Sequence, residues 1–367
     1  MKIFELNVQS LTKQDTSILK GIAILCIVFH NFFHWITPFT GENEFVFNSV
    51  YIYNFMYAFR DTPLEFINIL FSYLGHYGVE IFIFISGFGL AVSMHENPKK
   101  WGVFMLDRIS KLYPLLLTGI LLFFFAVILI DHRVFTHYDW LEIGYKLLFI
   151  HTLLPFSGLS INGPWWFFGL IFQLYILFPW IYKLLKKYDR KALLLVLLFS
   201  YISIYWSLYF GKPNALELIL MNAPGHLPEF VLGIWFALNK ERKINILYVI
   251  VALAVFIAGN FYKIFFPFTF LAVAFLSIGA FYWVIPFIRK THYCRKILVY
   301  FGGISMILFA VHAYFRDPFI ELGNQWHSFY GTLIAAALFL ITAMGATMIG
   351  EKVYAFLLNI VQKSRAK

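Results

Sequence analysis

Long apolar segments separated by short basic loops are the feature of this sequence that most constrains its fold. The first apolar segment extends from residue 17 to residue 37, which is long enough to cross a bilayer. Apolar residues make up 61% of the 367 residues and charged residues only 13%, which excludes a soluble globular protein of this length. We therefore predict an all-α fold, a polytopic bundle of helices in a lipid bilayer.

Basic residues indicate which loops face the cytoplasm. They cluster at residues 99–111, 183–191, 240–243, 289–296 and 363–367, and the N-terminal segment contains Lys2, Lys13 and Lys20. The positive-inside rule places all of these in the cytoplasm, so the net charge of +10 reports topology and not binding to nucleic acid. About ten spans with both termini in the cytoplasm satisfy this rule. We predict them at residues 17–37, 76–95, 111–130, 163–182, 192–210, 226–238, 245–262, 264–287, 297–315 and 329–349.

Three segments depart from this regular pattern. Residues 141–156 cannot be a span without moving the basic cluster at 183–191 outside, so we interpret them as an outer-surface or re-entrant helix. The span at residues 226–238 is short, and neighbouring helices must bury it. In the outer loop at residues 40–75, the stretch 64–74 is a candidate amphipathic interfacial helix.

The domain organisation is simple. We expect one transmembrane domain at residues 17–350, between a cytoplasmic segment 1–16 and a basic cytoplasmic tail 351–367, with no soluble catalytic domain. The first sixteen residues are polar and charged and the first apolar segment is too long for a signal-peptide core, so we expect no cleavable signal. Cys26 and Cys294 lack metal-ligand spacing, and we expect two free thiols and no bound metal.

Three cations near the cytoplasmic side are candidates for binding an anionic ligand. Arg108 and Lys111 lie one helical turn apart at the start of the third span, and Lys20 begins the first span at the same depth. They are either ordinary anchors at the membrane surface or partners for the phosphates of a donor such as a nucleotide-bearing thioester.

Ionisable residues deeper in the spans are candidate catalytic residues. His30 lies about 15 Å along the helix from Lys20, at about 1.5 Å per residue, and His34 follows one turn later on the same face. Glu80 enters the second span from outside and reaches a depth similar to that of His34. A carboxylate and an imidazole in a low dielectric can orient one another for proton transfer. Alternatively, His30 hydrogen-bonds a neighbouring helix and Glu80 reaches out to water.

Further polar residues occur at a similar outer depth. Asn162 and Trp165 head the fourth span, where tryptophans are also common as interfacial residues. Gln173 lies deeper in that span, where it either contacts substrate or hydrogen-bonds another helix. His312 lies about 15 residues into the ninth span, in its outer third. These four residues are candidates for binding a substrate.

A series of short motifs follows one order along almost the whole chain. They are Lys20-Gly-Ile-Ala-Ile-Leu25 followed by a histidine, Gly78-Val-Glu-Ile-Phe-Ile-Phe-Ile-Ser-Gly-Phe88, Arg108-Ile-Ser-Lys-Leu-Tyr-Pro114, Gly163-Pro-Trp-Trp-Phe-Phe168, Gln173-Leu-Tyr-Ile-Leu-Phe-Pro179, Pro228-Glu-Phe-Val-Leu-Gly233 and the segment from Gly302-Gly-Ile-Ser305 to His312. This ordered set resembles the membrane acyltransferase-3 family. Such proteins have about ten transmembrane helices and move an acyl group, most often acetyl, from cytoplasmic acyl-CoA to a hydroxyl of a cell-surface or lipid-linked carbohydrate. The resemblance implies acetyl-CoA as donor substrate, a carbohydrate acceptor, no permanently bound cofactor, and a place in the cytoplasmic (inner) membrane of a bacterium.

The resemblance also implies roles for individual residues. Four charged residues stand at charged positions of the family motifs: Lys20, Glu80, Arg108 and Lys111. His30 matches the family histidine, although one residue earlier than the usual pattern, where Asn31 stands; His34 therefore remains an alternative. Many relatives have a glutamate in the fourth span where this chain has Gln173.

The expected mechanism combines these roles. The three cations hold the phosphates of acyl-CoA, a sugar hydroxyl enters beneath Trp165, and His30, oriented by Glu80, removes its proton as it attacks the thioester carbonyl. An acyl-histidine intermediate is the alternative route. Two other functions stay open, a transporter or export component for a glycan or lipid-linked sugar, and a noncatalytic member of the same fold. The sequence predicts neither the oligomeric state nor the individual acceptor.

Overall fold

The computed structural model describes residues 5–7, 11–38, 41–128, 132–239, 243–326 and 328–365. Four basic residues of the predicted cytoplasmic segments lie outside the described residues: Lys2, Lys240, Arg242 and Lys367. The last two residues of the predicted third span, 129 and 130, also lie outside them.

The described residues form α-helices and one short two-stranded sheet. The helices are α1 (Lys13–Phe33), α2 (Ser49–Asp61), α3 (Phe66–Leu74), α4 (Gly78–Glu96), α5 (Trp101–Ala126), α6 (His137–Leu147), α7 (Trp166–Tyr188), α8 (Arg190–Phe210), α9 (Ala215–Leu220), α10 (Ala223–Leu238), α11 (Ile246–Phe261), α12 (Phe268–Lys290), α13 (His292–Val311), α14 (Asp317–Trp326) and α15 (Phe329–Arg365). The strands β1 (Glu5–Asn7) and β2 (Lys243–Asn245) pair antiparallel, with Glu5 opposite Asn245. The helical class predicted from the sequence is confirmed.

Eight helical segments of the described chain are long and apolar enough to cross a membrane. They are Lys13–Phe33, Pro63–Glu96, Trp101–Ala126, Gly163–Tyr188, Arg190–Phe210, Phe268–Lys290, His292–Val311 and Phe329–Arg365. The predicted sixth and seventh spans correspond to α10 and α11, which have only 16 residues each. Most of α10 is buried by its neighbours, as a short span requires. The chain is a multi-pass membrane protein.

The first helix begins four residues before the predicted span. Thr12 and Asp15 form a capping box, in which the Asp15 backbone N–H donates to the Thr12 hydroxyl and the Thr12 N–H donates to the Asp15 carboxylate. Asp15 is fully buried, and Arg289 at the end of α12 donates its Nε–H to this carboxylate over 2.7 Å. The pair joins the starting turn of α1 to α12.

Residues from the predicted cytoplasmic clusters gather at one end of the bundle, which we call the basic face. Arg365 donates to the carboxylate of Asp107 over 2.8 Å, and Lys99 forms an ion pair with the same carboxylate. The pairing of β1 with β2 brings the segment before α1 to the segment before α11. A fold of ten spans with both termini on the same side requires that these clusters share one end of the bundle. That this end faces the cytoplasm remains a prediction.

The segment at residues 141–156 does not cross the bundle. Its helix, α6, ends at Leu147, whose carbonyl accepts a hydrogen bond from Tyr113 in the first half of α5. Buried Glu142 then accepts from the hydroxyls of Ser157 and Ser160, over 2.8 and 2.6 Å, and so fastens the returning chain to α6. This course is that of a re-entrant segment.

Two other boundaries differ from the predictions. Within the stretch predicted as an interfacial helix, α3 packs against α1, buries Asn68, Ile69 and Tyr73, and leads through a 3-10 turn into α4. It is therefore part of the helical segment Pro63–Glu96, which is long and apolar enough to cross a membrane. Tertiary contacts bury the face that amphipathicity assigned to an interface. At the other end of the chain, α15 continues to Arg365 where the predicted span stops at residue 349.

Candidate active site

Two cavities of about 490 Å³ each lie at opposite ends of α1. The first, which we call the basic cavity, lies toward the basic face and is lined by Lys20, Arg108 and Lys111. The second, which we call the histidine cavity, is lined by His30 and His34 near the other end of that helix. The helical rise between Lys20 and His30 separates them by about 15 Å.

The basic cavity brings together the three cations predicted from the sequence. None of its described lining residues is acidic, and Ser86 and Tyr175 add hydroxyl groups. The guanidinium carbon of Arg108 lies 5.3 Å from the centroid of the Phe104 ring and 6.0 Å from that of Tyr175. Its buried Nε has no hydrogen-bond partner among the described residues. A cationic, aromatic-lined cavity with a spare guanidinium donor suits a phosphate-bearing ligand.

His30 has a defined orientation in the histidine cavity. It is 7% exposed, and its Nδ1 lies 3.2 Å from the carbonyl oxygen of Phe71 and 3.1 Å from that of Ser72. Because both partners can only accept, Nδ1 carries a ring proton in this arrangement, and the neutral imidazole then has its lone pair on Nε2. The last turn of α3 therefore presents His30 as a base at Nε2.

A second histidine and a carboxylate lie beside His30. Nδ1 of His34 is 2.6 Å from a carboxylate oxygen of Glu42, and its ring centroid lies 5.3 Å from that of His30. The ring of His76 also lies 5.5 Å from His30, at a steep angle. Burial, followed by the charge of Glu42, raises the pKa of Glu44, another lining residue, to about 8.

An apolar constriction separates the two cavities. Ile27, Val79 and Phe309 line both the constriction and the histidine cavity. Phe82, Phe167 and Met306 line both the constriction and the basic cavity. The constriction has no room for a water molecule. Among the described residues, its apolar side chains therefore separate the basic cavity from the histidine cavity at this point.

The structure places Glu80 away from the histidine cavity. Its carboxylate meets His226 and Glu229 of α10, with one ligand atom of each residue within 4.8 Å of the other two. The expectation that Glu80 orients His30 is therefore wrong. The two carbonyls of α3 orient His30, and the carboxylate beside the histidine pair is Glu42. The sequence does not reveal that Glu80 points to α10, because α4 is almost uniformly apolar and has no hydrophobic periodicity that would distinguish its faces.

The predicted substrate-binding residues Asn162 and Trp165 do not line the histidine cavity. Asn162 lines a neighbouring cavity of about 360 Å³, which shares Arg316 with the histidine cavity. Trp165 is fully buried and donates its Nε1–H to the carbonyl of Ala310 over 2.9 Å. The indoles that line the histidine cavity are those of Trp35 and Trp166.

Gln173 and His312 form hydrogen bonds outside the histidine cavity. Gln173 donates to Thr152 and Asn222, over 3.2 and 2.5 Å, which is the helix-to-helix alternative considered above. Nδ1 of His312 lies 3.1 Å from the carbonyl oxygen of Leu308, one turn earlier in the same segment, and the side chain is fully buried. Neither residue lines the histidine cavity.

Several residues of the histidine cavity escape prediction from the sequence. They are Glu42, Glu44, His76 and Arg316. The first two lie in an outer loop, and Arg316 follows a span, where a charged residue is ordinary. Arg316 folds inward because its Nη1 donates to the side-chain oxygen of Asn31 over 3.1 Å.

This arrangement supports proton transfer and group transfer at a constriction that excludes water. An oriented imidazole faces a cavity at one side of the constriction, and a cationic cavity lies at the other. His30, His34 and Glu42 could also hold a cation, since one ligand atom of each lies within 4.8 Å of the others. A neutral His30 with a free Nε2 serves either as a base or as a nucleophile.

The chain matches the model of a known protein family. A family model described as an acyltransferase domain, the acyltransferase-3 model, matches residues 16–351. The matched range contains both cavities and the constriction between them. Neither the curated proteins nor the solved structures contain a significant match.

Proposed function

This chain belongs to the acyltransferase-3 family, and from that premise we propose that it is an integral membrane O-acyltransferase. It moves an acyl group, acetyl in the first instance, from cytoplasmic acyl-CoA to a hydroxyl of an extracytoplasmic or lipid-linked carbohydrate. One observation carries this proposal: a cationic cavity and a cavity with an oriented histidine meet at a single apolar constriction.

The donor binds in the basic cavity. Lys20, Arg108 and Lys111 neutralise the phosphates of the nucleotide, and the aromatic rings beside Arg108 hold its guanidinium in place. The pantetheine arm extends through the constriction, so the side chains of Phe82, Phe167 and Met306 separate when the donor is bound. The thioester then reaches His30 without contact with bulk water.

The acceptor hydroxyl approaches from the histidine cavity. His30 Nε2 takes the proton of the hydroxyl, whose oxygen forms the new bond to the thioester carbonyl carbon. The carbon–sulfur bond then breaks, and the imidazolium returns its proton to the departing CoA thiolate. The carbonyls of Phe71 and Ser72 hold the Nδ1–H throughout, which stabilises the imidazolium as it forms. In the acyl-histidine route, Nε2 attacks the thioester carbonyl carbon and the carbon–sulfur bond breaks, which releases the CoA thiolate. The sugar hydroxyl oxygen then attacks the acyl carbon, the bond to Nε2 breaks, and the thiolate takes the hydroxyl proton.

Transfer of labelled acetyl from acetyl-CoA, measured in membranes that contain the protein, tests this function. His30→Ala is expected to abolish transfer to carbohydrate, whereas His292→Ala, which removes an exposed histidine at the start of α13, keeps it. Full activity of His30→Ala rejects the role of His30. Movement of a glycan across the membrane with no consumption of acetyl-CoA supports the alternative function, a transporter.

A further inference from the structure

A second cluster of ionisable side chains lies between α4 and α10, outside both cavities. Glu80, His226 and Glu229 each place one ligand atom within 4.8 Å of the other two. Their exposures are 2%, 2% and 0%, so the whole cluster is buried in the bundle. Glu80 and Glu229 belong to two of the ordered sequence motifs, and the proposed acyl transfer uses neither.

The backbones of α4 and α10 are in direct contact around this cluster. A Cβ on Gly87 would lie 2.2 Å from the carbonyl oxygen of Phe230, and one on Gly233 would lie 2.1 Å from that of Phe84. Only glycine permits this approach, which packs the two helices as closely as their backbones allow. The three ligand residues therefore sit on rigid elements, as a preorganised binding site requires.

Each member of the cluster has an atom with no hydrogen-bond partner in the described part of the chain. These atoms are Oε2 of Glu80, Nε2 of His226 and Oε2 of Glu229. Nδ1 of His226 and Oε1 of Glu229 lie 2.8 Å apart, a separation that suits two ligand atoms on one ion as well as a hydrogen bond.

The charge of the cluster demands compensation. Among the described residues, no lysine or arginine forms an ion pair with Glu80 or Glu229, and the recorded ion pair of Glu229 is with His226. Two carboxylates that are ionised and lack a positively charged partner are strongly disfavoured in a low dielectric. Either protons or a bound cation must supply the missing positive charge.

We propose that Glu80, His226 and Glu229 bind one divalent transition-metal ion. One imidazole and two carboxylates form a ligand set that suits zinc and manganese. The ion neutralises both carboxylates and joins α4 to α10. It also fixes the wall of the histidine cavity, because the ring of Trp166 stacks on His226 with 5.5 Å between centroids. This site is independent of the acyl-transfer chemistry.

Metal analysis of the purified full chain in detergent tests the proposal. After dialysis against a chelator, the protein is titrated with Zn²⁺ and with Mn²⁺, and bound metal is measured by plasma mass spectrometry. We expect about one equivalent per chain, and an affinity at least tenfold lower for Glu229→Gln, since loss of a group that ligates or supports a metal typically costs about 10–100-fold. Glu42→Gln removes a carboxylate from the cluster with two histidines and is expected to keep the full affinity.

X-ray absorption of the zinc-loaded wild type counts the imidazole ligands and does not depend on the folding of a variant. One imidazole and oxygen ligands are expected at this site, whereas metal on His30 and His34 would show two. Absence of stoichiometric metal in the wild type overturns the proposal and assigns the missing charge to protons. Two imidazoles, or loss of metal from Glu42→Gln and not from Glu229→Gln, also overturns it.

Discussion

Substitution of Arg108 by glutamine is expected to weaken donor binding and to spare the chemical step. Arg108 lies in the basic cavity with its guanidinium held against Phe104 and Tyr175, and its buried Nε lacks a partner among the described residues. A hydrogen bond to a charged group contributes about 1.5–3 kcal/mol. Loss of this amount raises the KM for acetyl-CoA by about tenfold to 150-fold, since each 1.4 kcal/mol corresponds to about a factor of ten.

The assay compares two donors in the same membranes. Acetyl-CoA carries the phosphates that Arg108 binds in this account, whereas the acetyl thioester of N-acetylcysteamine has no nucleotide. The KM of Arg108→Gln is expected to rise for acetyl-CoA only, with kcat nearly unchanged. Lys99→Gln is the matched control, because it removes one positive charge from the basic face at a residue that pairs with Asp107 outside the cavity.

Two results would refute this reasoning. An equal loss of rate with both donors would mean that Arg108 supports the fold and not the nucleotide. An equal rise in the KM of Lys99→Gln would mean that the net charge of the face, and not the cavity, attracts the donor.

Three further predictions follow from the same structure. His34→Ala is expected to lower kcat by about a hundredfold, the lower end of the range for a positioned acid–base group, and Glu42→Gln is expected to have a similar effect because the two side chains form a pair; unchanged rates for both contradict their role. The ordinary pKa of a glutamate is 4.5, and that of Glu44 in the folded protein is about 8. Between these two pH values the folded protein keeps the Glu44 proton that the unfolded chain has lost, so the stability of the folded protein falls as the pH rises through this window. Melting temperatures in detergent are expected to fall less over that window for Glu44→Gln, and an identical fall contradicts the assignment. Asp15→Asn is expected to lower the free energy of unfolding by about 1–3 kcal/mol, because Arg289 loses its charged partner, and an unchanged denaturation midpoint is the contrary result.

Features that depend on distance along one helix were predictable from the sequence. The apolar segments and the basic clusters between them give the long helices and their common end. Lys20, Arg108 and Lys111 could be placed at one depth because each lies near the basic end of its own span, and they do line one cavity. Depth follows from counting residues at a known rise.

Features that depend on the face of an apolar helix were not predictable. Glu80 lies at the expected depth but turns toward α10, because the apolar sequence of α4 has no polar side that would set its rotation. His312 also lies in the predicted segment, yet its Nδ1 meets a carbonyl of its own helix. Neither orientation can be read from spacing alone.

The outer loop supplies residues that only tertiary structure could identify. Glu42 reaches His34 because the described residues 41–48, ahead of α2, pack against the bundle, where the ring of Phe45 contacts that of Trp166. A glutamate in a loop is ordinarily solvated, and no local pattern distinguishes this one. The carbonyls that orient His30 belong to α3 and carry no side-chain signature at all.

Mass spectrometry of surface glycans tests the central claim most directly. Glycans are compared from cells that produce the wild-type protein, cells that produce His30→Ala at the same level, and cells that lack the protein. The account predicts one acyl mass increment on one sugar with the wild type, and its absence in the other two samples. Glycans of identical mass in all three samples, or full acylation with His30→Ala, would contradict it.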